Sequence, residues 1–235
     1  MHKVSIIGVS GKLGQYMARE ALNRGYDVVG VCRERSVHKL GDLADAITVL
    51  PGDTDDQRVV GDAVATSDGV LTVLVPWGTH QYASGTARAV LEQARPGARL
   101  VFSCGWHVPC HEKDHYPRST LLAQQAMTAL MRTMRVMDID DQVEAARLIR
   151  ASATRWTIAR GSTLEEGERQ GLPVWAEYVG HPKLASDRTR RIDYATFMVE
   201  ALTNDALVHQ SPAIVGCLAP SALAHGSKGA GHAPR

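Results

Sequence analysis

The stretch Gly8-Val9-Ser10-Gly11-Lys12-Leu13-Gly14 follows an apolar run at residues 4–7 and opens an amphipathic segment at residues 13–24. In such a turn Gly8 permits a sharp bend, Gly11 lets backbone amides approach a diphosphate, and Gly14 lets the helix lie close to the sheet. The amino terminus of the helix then favours phosphate. The sequence therefore predicts a dinucleotide-binding turn, with these cofactor-binding residues: Gly8, Ser10, Gly11, Lys12, Leu13 and Gly14.

Apolar runs typical of buried parallel strands alternate with helical periodicity over the first 160 residues. The predicted strands are residues 4–7, 27–31, 47–50, 70–75, 99–103 and 156–160, and the main helices are 13–24, 82–94 and 141–152. This alternation predicts an α/β fold with a doubly wound parallel sheet of Rossmann type. We expect one domain over residues 1–221, a small carboxyl-terminal substrate lobe mainly from residues 161–192, a helix at 194–203 and a flexible tail at 222–235.

The end of the second strand indicates which dinucleotide is preferred. Arg33 stands where a guanidinium can hold a 2′-phosphate, which favours NADP. Glu34 is adjacent and could accept from a ribose 2′-hydroxyl instead, so NAD stays possible. Asp53, just past the third strand, is a candidate contact to the adenine.

Composition restricts the class of protein. Lys and Arg total 26 against 25 Asp and Glu, so no net field attracts nucleic acid or a membrane surface. No apolar run reaches the roughly 18 residues that span a bilayer, and the four cysteines form no CxxC pair. We therefore expect a cytoplasmic monomer or homodimer that acts on a small molecule, without a nucleic-acid or membrane partner.

The carboxyl ends of the strands should line a ligand crevice. We predict Val75, Pro76 and Ser103 as further cofactor contacts. Predicted substrate contacts are Trp77, Trp106, Cys104 and Ser162. The candidate catalytic residues are Ser103, His107 and Tyr82. Cys104, His107, Cys110, His111 and His115 also lie close together, but their spacing matches no known zinc site, so no metal is predicted.

Together these features resemble the atypical short-chain dehydrogenase/reductases, in the NmrA-like and flavin or biliverdin-IXβ reductase branch. The resemblance is carried by the turn at residues 8–14, Arg33, Gly52-Asp53 and the stretch 140–161. It implies one Rossmann domain that either reduces small molecules with NADPH or senses the cofactor. The chain departs from the wider family because no Tyr has a Lys four residues on, and Gln142 stands where relatives often carry Lys or His.

These observations lead to a main hypothesis and two alternatives. The main hypothesis is an NADPH-dependent reductase that transfers hydride to a small cyclic or conjugated molecule such as a flavin, quinone, enone or imine. Loss of the Tyr/Lys pair does not exclude redox chemistry, because hydride delivery can be paired with a proton from water. The alternatives are a non-catalytic redox sensor of NmrA type and a non-redox isomerase or cyclase.

Overall fold

The structure, a computed structural model, describes residues 1–74, 81–116 and 139–226. Its ten strands are β1 Lys3–Ile7, β2 Asp27–Cys32, β3 Thr48–Pro51, β4 Gly69–Val73, β5 Arg99–Gly105, β6 Arg155–Gly161, β7 Thr163–Glu165, β8 Val174–Ala176, β9 Arg188–Arg190 and β10 Ala213–Val215. Its α-helices are α1 Lys12–Asn23, α2 Leu43–Ala46, α3 Gln57–Val64, α4 Tyr82–Gln93, α5 Ile139–Ala151, α6 Arg191–Glu200 and α7 Pro220–Gly226. Three 3-10 helices cover Glu34–Leu40, Pro182–Leu184 and Asp205–Leu207.

The main sheet has eight strands in the order β3-β2-β1-β4-β5-β6-β10-β8. All neighbours pair in parallel except β10 and β8, which are antiparallel. Strand order reverses direction after β1, so the carboxyl ends of β1 and β4 flank a crevice of the kind that binds ligands in open α/β sheets. The predicted Rossmann-type doubly wound fold is confirmed.

Two apolar layers cover the two faces of this sheet. On one face, α1 and α6 pack together over a buried core that includes Val4, Ile6 and Leu71. On the other face, α3, α4 and α5 cover Ile7, Val70 and the rest of a second core. Successive strand residues point to opposite faces, which is why strands buried on both sides are apolar throughout.

The carboxyl-terminal region contains more regular structure than the sequence indicates. Between residues 161 and 192, β7 and β9 form a separate parallel pair, whereas β8 extends the main sheet through β10. The tail predicted from residue 222 is wrong for residues 222–226, which belong to α7. Ala222 is buried there and the Ser221 hydroxyl donates to the Lys183 carbonyl, so this short helix has a packing partner. Residues 227–235 lie outside the described part of the chain.

Across residues 1–74, 81–116 and 139–226, none of the helices has both the length and the apolar character that a membrane span needs.

Candidate functional site

The turn between β1 and α1 has the geometry that its glycines predict. Gly8 adopts φ +92°, in the left-handed region that favours glycine. A Cβ on Gly14 would lie 2.4 Å from the Gly8 carbonyl oxygen and 2.7 Å from the Cα of Val9, so no side chain fits there. The first turn of α1 is thereby held against the end of β1.

Within the described residues, no side-chain cap pairs the first amides of α1. Its N-cap is Gly11, which has no side chain to accept from the first N–H groups, and the first turn contains no acidic residue. An uncapped helix start attracts anions, because its amides and partial positive charge both point outward. A cavity of about 160 Å³ lies at this point, and we call it the phosphate cleft. Its lining residues are Gly8, Ser10, Gly11, Cys32, Arg33, Ser36, Lys39, Thr54, Val73 and Tyr82.

Three polar residues of the phosphate cleft share one face of a 3-10 helix. The helix Glu34–Leu40 starts directly after Arg33, and a 3-10 helix has three residues per turn, so side chains three apart are aligned. Arg33, Ser36 and Lys39 therefore lie in one row, and all three line the cleft. Glu34 is exposed and does not line it. Ser36 and Lys39 were not predicted from the sequence, although their spacing of three from Arg33 is visible in it.

The other predicted cofactor residues have different surroundings. Leu13 is buried in the core beneath α1. The amino group of Lys12 lies 3.4 Å from a carboxylate oxygen of Glu166, so its side chain points away from the cleft lining. Asp53 is exposed, and the adjacent Thr54 lines the cleft instead. Val75 and Pro76 lie outside the described residues.

A larger cavity, of about 630 Å³, lies beyond the carboxyl ends of β5 and β6, and we call it the edge cavity. Its lining residues are Gly105, Trp106, His107, His115, Tyr116, Gly161, Ser162, Thr163, Val179, Gly180, Leu184, Ala185 and Asp187. Most of this lining is apolar or aromatic, with a few polar groups. Small-molecule sites have this size and composition.

A chain of hydrogen bonds connects the edge cavity with the end of β4. The Gln142 side chain on α5 donates from Nε2 to the carbonyl oxygen of Leu74, at 2.8 Å. Its Oε1 lies 2.7 Å from Nε2 of His107, whose ring lines the edge cavity. Burial lowers the pKa of His107, and the hydrogen bond with Gln142 opposes that shift only in part. His107 is therefore neutral at pH 7.

A buried ion pair holds the loop that follows β5. Arg160 on β6 donates to Asp114 at 2.7 Å, and both side chains are almost fully buried. Asp114 also accepts from the backbone N–H groups of Cys110, His111 and Val179. Burial opposes ionisation of Asp114, but these hydrogen bonds outweigh it and lower its pKa. The pair thus connects β6, the loop at residues 105–116 and the segment after β8.

The predicted substrate and catalytic residues do not all lie together. Trp106, His107 and Ser162 line the edge cavity, whereas Tyr82 lines the phosphate cleft. Cys104 lines neither cavity, because its position in β5 turns it into the core under α4 and α5, where burial raises its pKa. Ser103 is buried in the same strand and also lines neither cavity. Trp77 lies outside the described residues.

The loop after β5 carries His107, Cys110, His111 and His115. In the ranges that the structure describes, no three His, Cys, Asp or Glu side chains come together in a way that could hold a metal ion. His111 instead accepts from the Lys113 backbone N–H through Nδ1.

Comparison with known proteins agrees with this geometry. A family model described as NAD(P)H-binding matches residues 8–205, which include both cavities. The chain belongs to this NAD(P)H-binding family. The uncapped helix start and the cationic row of the phosphate cleft fit the phosphates of such a nucleotide.

Individual relatives of this NAD(P)H-binding protein are more distant. A probable pinoresinol-lariciresinol reductase of Arabidopsis thaliana is 32% identical over 74 residues, which are 31% of this chain and 24% of the relative. An uncharacterized protein of Saccharomyces cerevisiae is 33% identical over 70 residues, which are 29% of this chain and 24% of that protein. The match thus spans about a quarter of the length of these curated relatives.

Two solved structures share the fold over nearly the whole chain. A short-chain dehydrogenase/reductase of Veillonella parvula in complex with NADP superposes with a TM-score of 0.67 at 13% identity, over 93% of this chain and 96% of that one. ChuY, an anaerobillin reductase of Escherichia coli, superposes with a TM-score of 0.65 at 19% identity, over 91% and 96%. The family match and the shared fold agree with the predicted resemblance to short-chain dehydrogenase/reductases.

Proposed function

We propose that this protein is an NADPH-dependent reductase that transfers hydride to a small cyclic or conjugated molecule held in the edge cavity. The observation that carries the proposal is the position of the two cavities on one sheet. The phosphate cleft lies at the ends of β1, β2 and β4, and the edge cavity at the ends of β5 and β6. A dinucleotide anchored in the first would extend across β4 toward the second.

The preference for NADPH over NADH rests on the row of Arg33, Ser36 and Lys39. Two cations and a hydroxyl on one face match a 2′-phosphate, since charge-assisted hydrogen bonds to phosphate are the strong ones. Among the described residues that line the phosphate cleft none is acidic, so none of them would accept from a ribose 2′-hydroxyl as a carboxylate or repel the extra phosphate.

The chemistry of reduction is supplied by the nicotinamide, which delivers hydride. The chain contributes binding and exclusion of water. Trp106 offers a flat apolar wall to a ring-shaped substrate, and Val179 and Leu184 add apolar contacts. His107 is connected to the Leu74 carbonyl, just past the end of β4, through Gln142. Two proteins similar to this chain in sequence or fold carry reductase names, which supports the same class of reaction.

The test is turnover by the purified protein. NADPH oxidation is followed with a panel of flavins, quinones, enones and imines, and NADH serves as the matched control. Steady oxidation of NADPH with at least one class of substrate is expected. If the protein binds NADPH but oxidises it with none of the panel, the reductase proposal is overturned. Discrimination between NADP⁺ and NADPH without turnover would then indicate a sensor, and product formation without any nucleotide an isomerase or cyclase.

A further inference from the structure

The hydrogen bonds around Gln142 determine which tautomer His107 adopts. The carbonyl oxygen of Leu74 can only accept, so the group 2.8 Å from it is the Gln142 amide NH₂. The other end of the amide is then the oxygen, which also only accepts, and it faces Nε2 of His107 at 2.7 Å. Nε2 must therefore carry the proton. In a neutral ring this leaves Nδ1 as a lone-pair acceptor.

The Nδ1 edge of the ring is the one left for a ligand. In residues 1–74, 81–116 and 139–226, Nδ1 of His107 makes no hydrogen bond. The buried side-chain atoms that lack a partner there are Thr72 Oγ1, Arg99 Nε, Trp106 Nε1 and Arg190 Nε. Nδ1 is not one of them, so it is accessible through the edge cavity that its ring lines. Gly105 makes room for this edge, because a Cβ there would lie 2.5 Å from Nδ1.

We propose that Nδ1 of His107 is the hydrogen-bond acceptor of the edge cavity, with Gln142 as its positioning residue, and that the cavity takes ring substrates presenting a hydroxyl or N–H to it. A bare carbonyl or quinone oxygen at this point would face another lone pair. The inference narrows the substrate class of the proposed reductase. Only its statement about the reaction rests on the proposed function. The tautomer and the donor preference do not depend on it.

The proposal also assigns the proton in the reaction. When hydride from NADPH reaches the substrate carbon, the electron pair left on the substrate oxygen or nitrogen takes a proton. Because Nδ1 of the neutral His107 ring carries no proton, that proton comes from solvent that reaches the edge cavity. The other titratable groups lining the cavity are His115, Tyr116 and Asp187.

The tautomer is tested by long-range proton–nitrogen NMR on the ¹⁵N-histidine-labelled protein at pH 7. The chain has ten histidines, so the signal that disappears in His107→Phe identifies the ring. We expect a protonated Nε2 and an unprotonated Nδ1 in the wild type. In Gln142→Met, which removes the amide but keeps a similar length, we expect a mixture of tautomers. A wild-type ring protonated on Nδ1 would overturn the proposal.

The donor preference is tested on the wild type with two probes that share a ring system. Calorimetry compares 2-naphthol, which carries a donor, with 2-methoxynaphthalene, which does not. One neutral hydrogen bond corresponds to roughly a three- to tenfold preference for 2-naphthol at pH 7. The preference should shrink as pH falls through the folded pKa of His107, which burial lowers, because protonated Nδ1 becomes a donor. Equal binding, or tighter binding of the methoxy compound, at pH 7 would contradict the proposal.

These measurements need no turnover and no bound nucleotide. A protein that reduces none of the panel can still show the tautomer and the preference for 2-naphthol. Conversely, a working reductase in which Nδ1 carries the proton would overturn this inference and leave the proposed function in place.

Discussion

The three glycines of the turn at residues 8–14 have different neighbours. A Cβ on Gly14 would overlap backbone atoms of Gly8 and Val9, whereas a Cβ on Gly11 would meet only the Gly8 oxygen at 3.5 Å. Gly11 also has φ −71°, which any residue adopts. The fold therefore requires glycine at position 14, whereas at position 11 only the proposed dinucleotide would require it.

This difference predicts separate effects of two alanine substitutions. Gly14→Ala should lower the free energy of unfolding by about 2–3 kcal/mol, because backbone must move to make room. Gly11→Ala should change it by less than about 0.5 kcal/mol but weaken NADPH binding roughly tenfold or more, because the methyl group lies where a diphosphate must approach. Urea denaturation and calorimetry measure the two quantities. Equal loss of stability in both variants would contradict this explanation.

At the residue scale, the sequence predicted the turn glycines and Arg33 but not Ser36 or Lys39. Their position in the phosphate cleft depends on three residues per turn, and the short segment at residues 34–40 has no periodicity that separates a 3-10 helix from an α-helix. Cys104 shows the opposite limit. The sequence correctly predicted that Cys104 lies at the end of β5. The face of the sheet to which its side chain points depends on the residue at which the strand ends.

At the element scale, α4 is capped by a residue from another helix. Its own N-cap, Gln81, has φ +58° and makes no side-chain cap, whereas Asp141 on α5 accepts from the N–H groups of Ala83 and Ser84 at 2.6 and 3.2 Å. Asp141 is buried, so it satisfies these amides where water cannot. The same residue thus ties α5 to the start of α4.

We expect Asp141→Ala to lower the free energy of unfolding by about 2–3 kcal/mol, since it leaves two buried amides unpaired. The matched variant is Asp56→Ala, which removes an exposed cap from α3 and should lower it by about 1 kcal/mol. Urea denaturation compares the two. If Asp141→Ala is no more destabilising than Asp56→Ala, the cap across the two helices does not contribute as described.

The elements that the sequence predicted are the long ones. Strands β1 to β6 and helices α1, α4, α5 and α6 fall within a few residues of their predicted bounds, because the strands form continuous apolar runs and the helices are long enough to show their period. Strands β7 to β10 have three residues each, which is too short for any alternation to be visible. Their pairing depends on distant partners, such as β10 beside β6 and β8.

At the scale of the whole molecule, the Arg160–Asp114 pair connects the sheet with both segments that border the edge cavity. Arg160 also donates to the carbonyl oxygens of Ser211 and Glu177, so each of its three guanidinium nitrogens makes a hydrogen bond. The sequence did not indicate this pair, since the partners are 46 residues apart and lie in no motif. The wall of the edge cavity is therefore held by a polar network that only the fold brings together.

Asp114→Asn should lower the free energy of unfolding by about 3 kcal/mol at pH 7, because it leaves the Arg160 charge buried without a counter-charge. The folded pKa of Asp114 lies below its ordinary value near 4, so its contribution is present above that pH and lost as pH falls through the folded pKa. The difference in the free energy of unfolding between the variant and the wild type should therefore shrink as pH falls through that pKa.

Glu144→Gln is the matched control, because it removes an exposed pair with Arg147 on α5 and should leave the free energy of unfolding unchanged within error. If Asp114→Asn lowers the free energy of unfolding no more than this control does, the buried pair does not hold the loop.

The most direct test of the account is calorimetric titration of the wild type with NADPH and NADH, beside Arg33→Ala, Lys39→Ala and the exposed control Arg35→Ala. We predict one NADPH per chain, bound more tightly than NADH. Each cleft variant should weaken NADPH binding by about 10- to 100-fold, as loss of a charge-assisted contact to phosphate does, and leave NADH and the control unaffected. Absence of binding by either nucleotide, or equal weakening of both by the cleft variants, would contradict it.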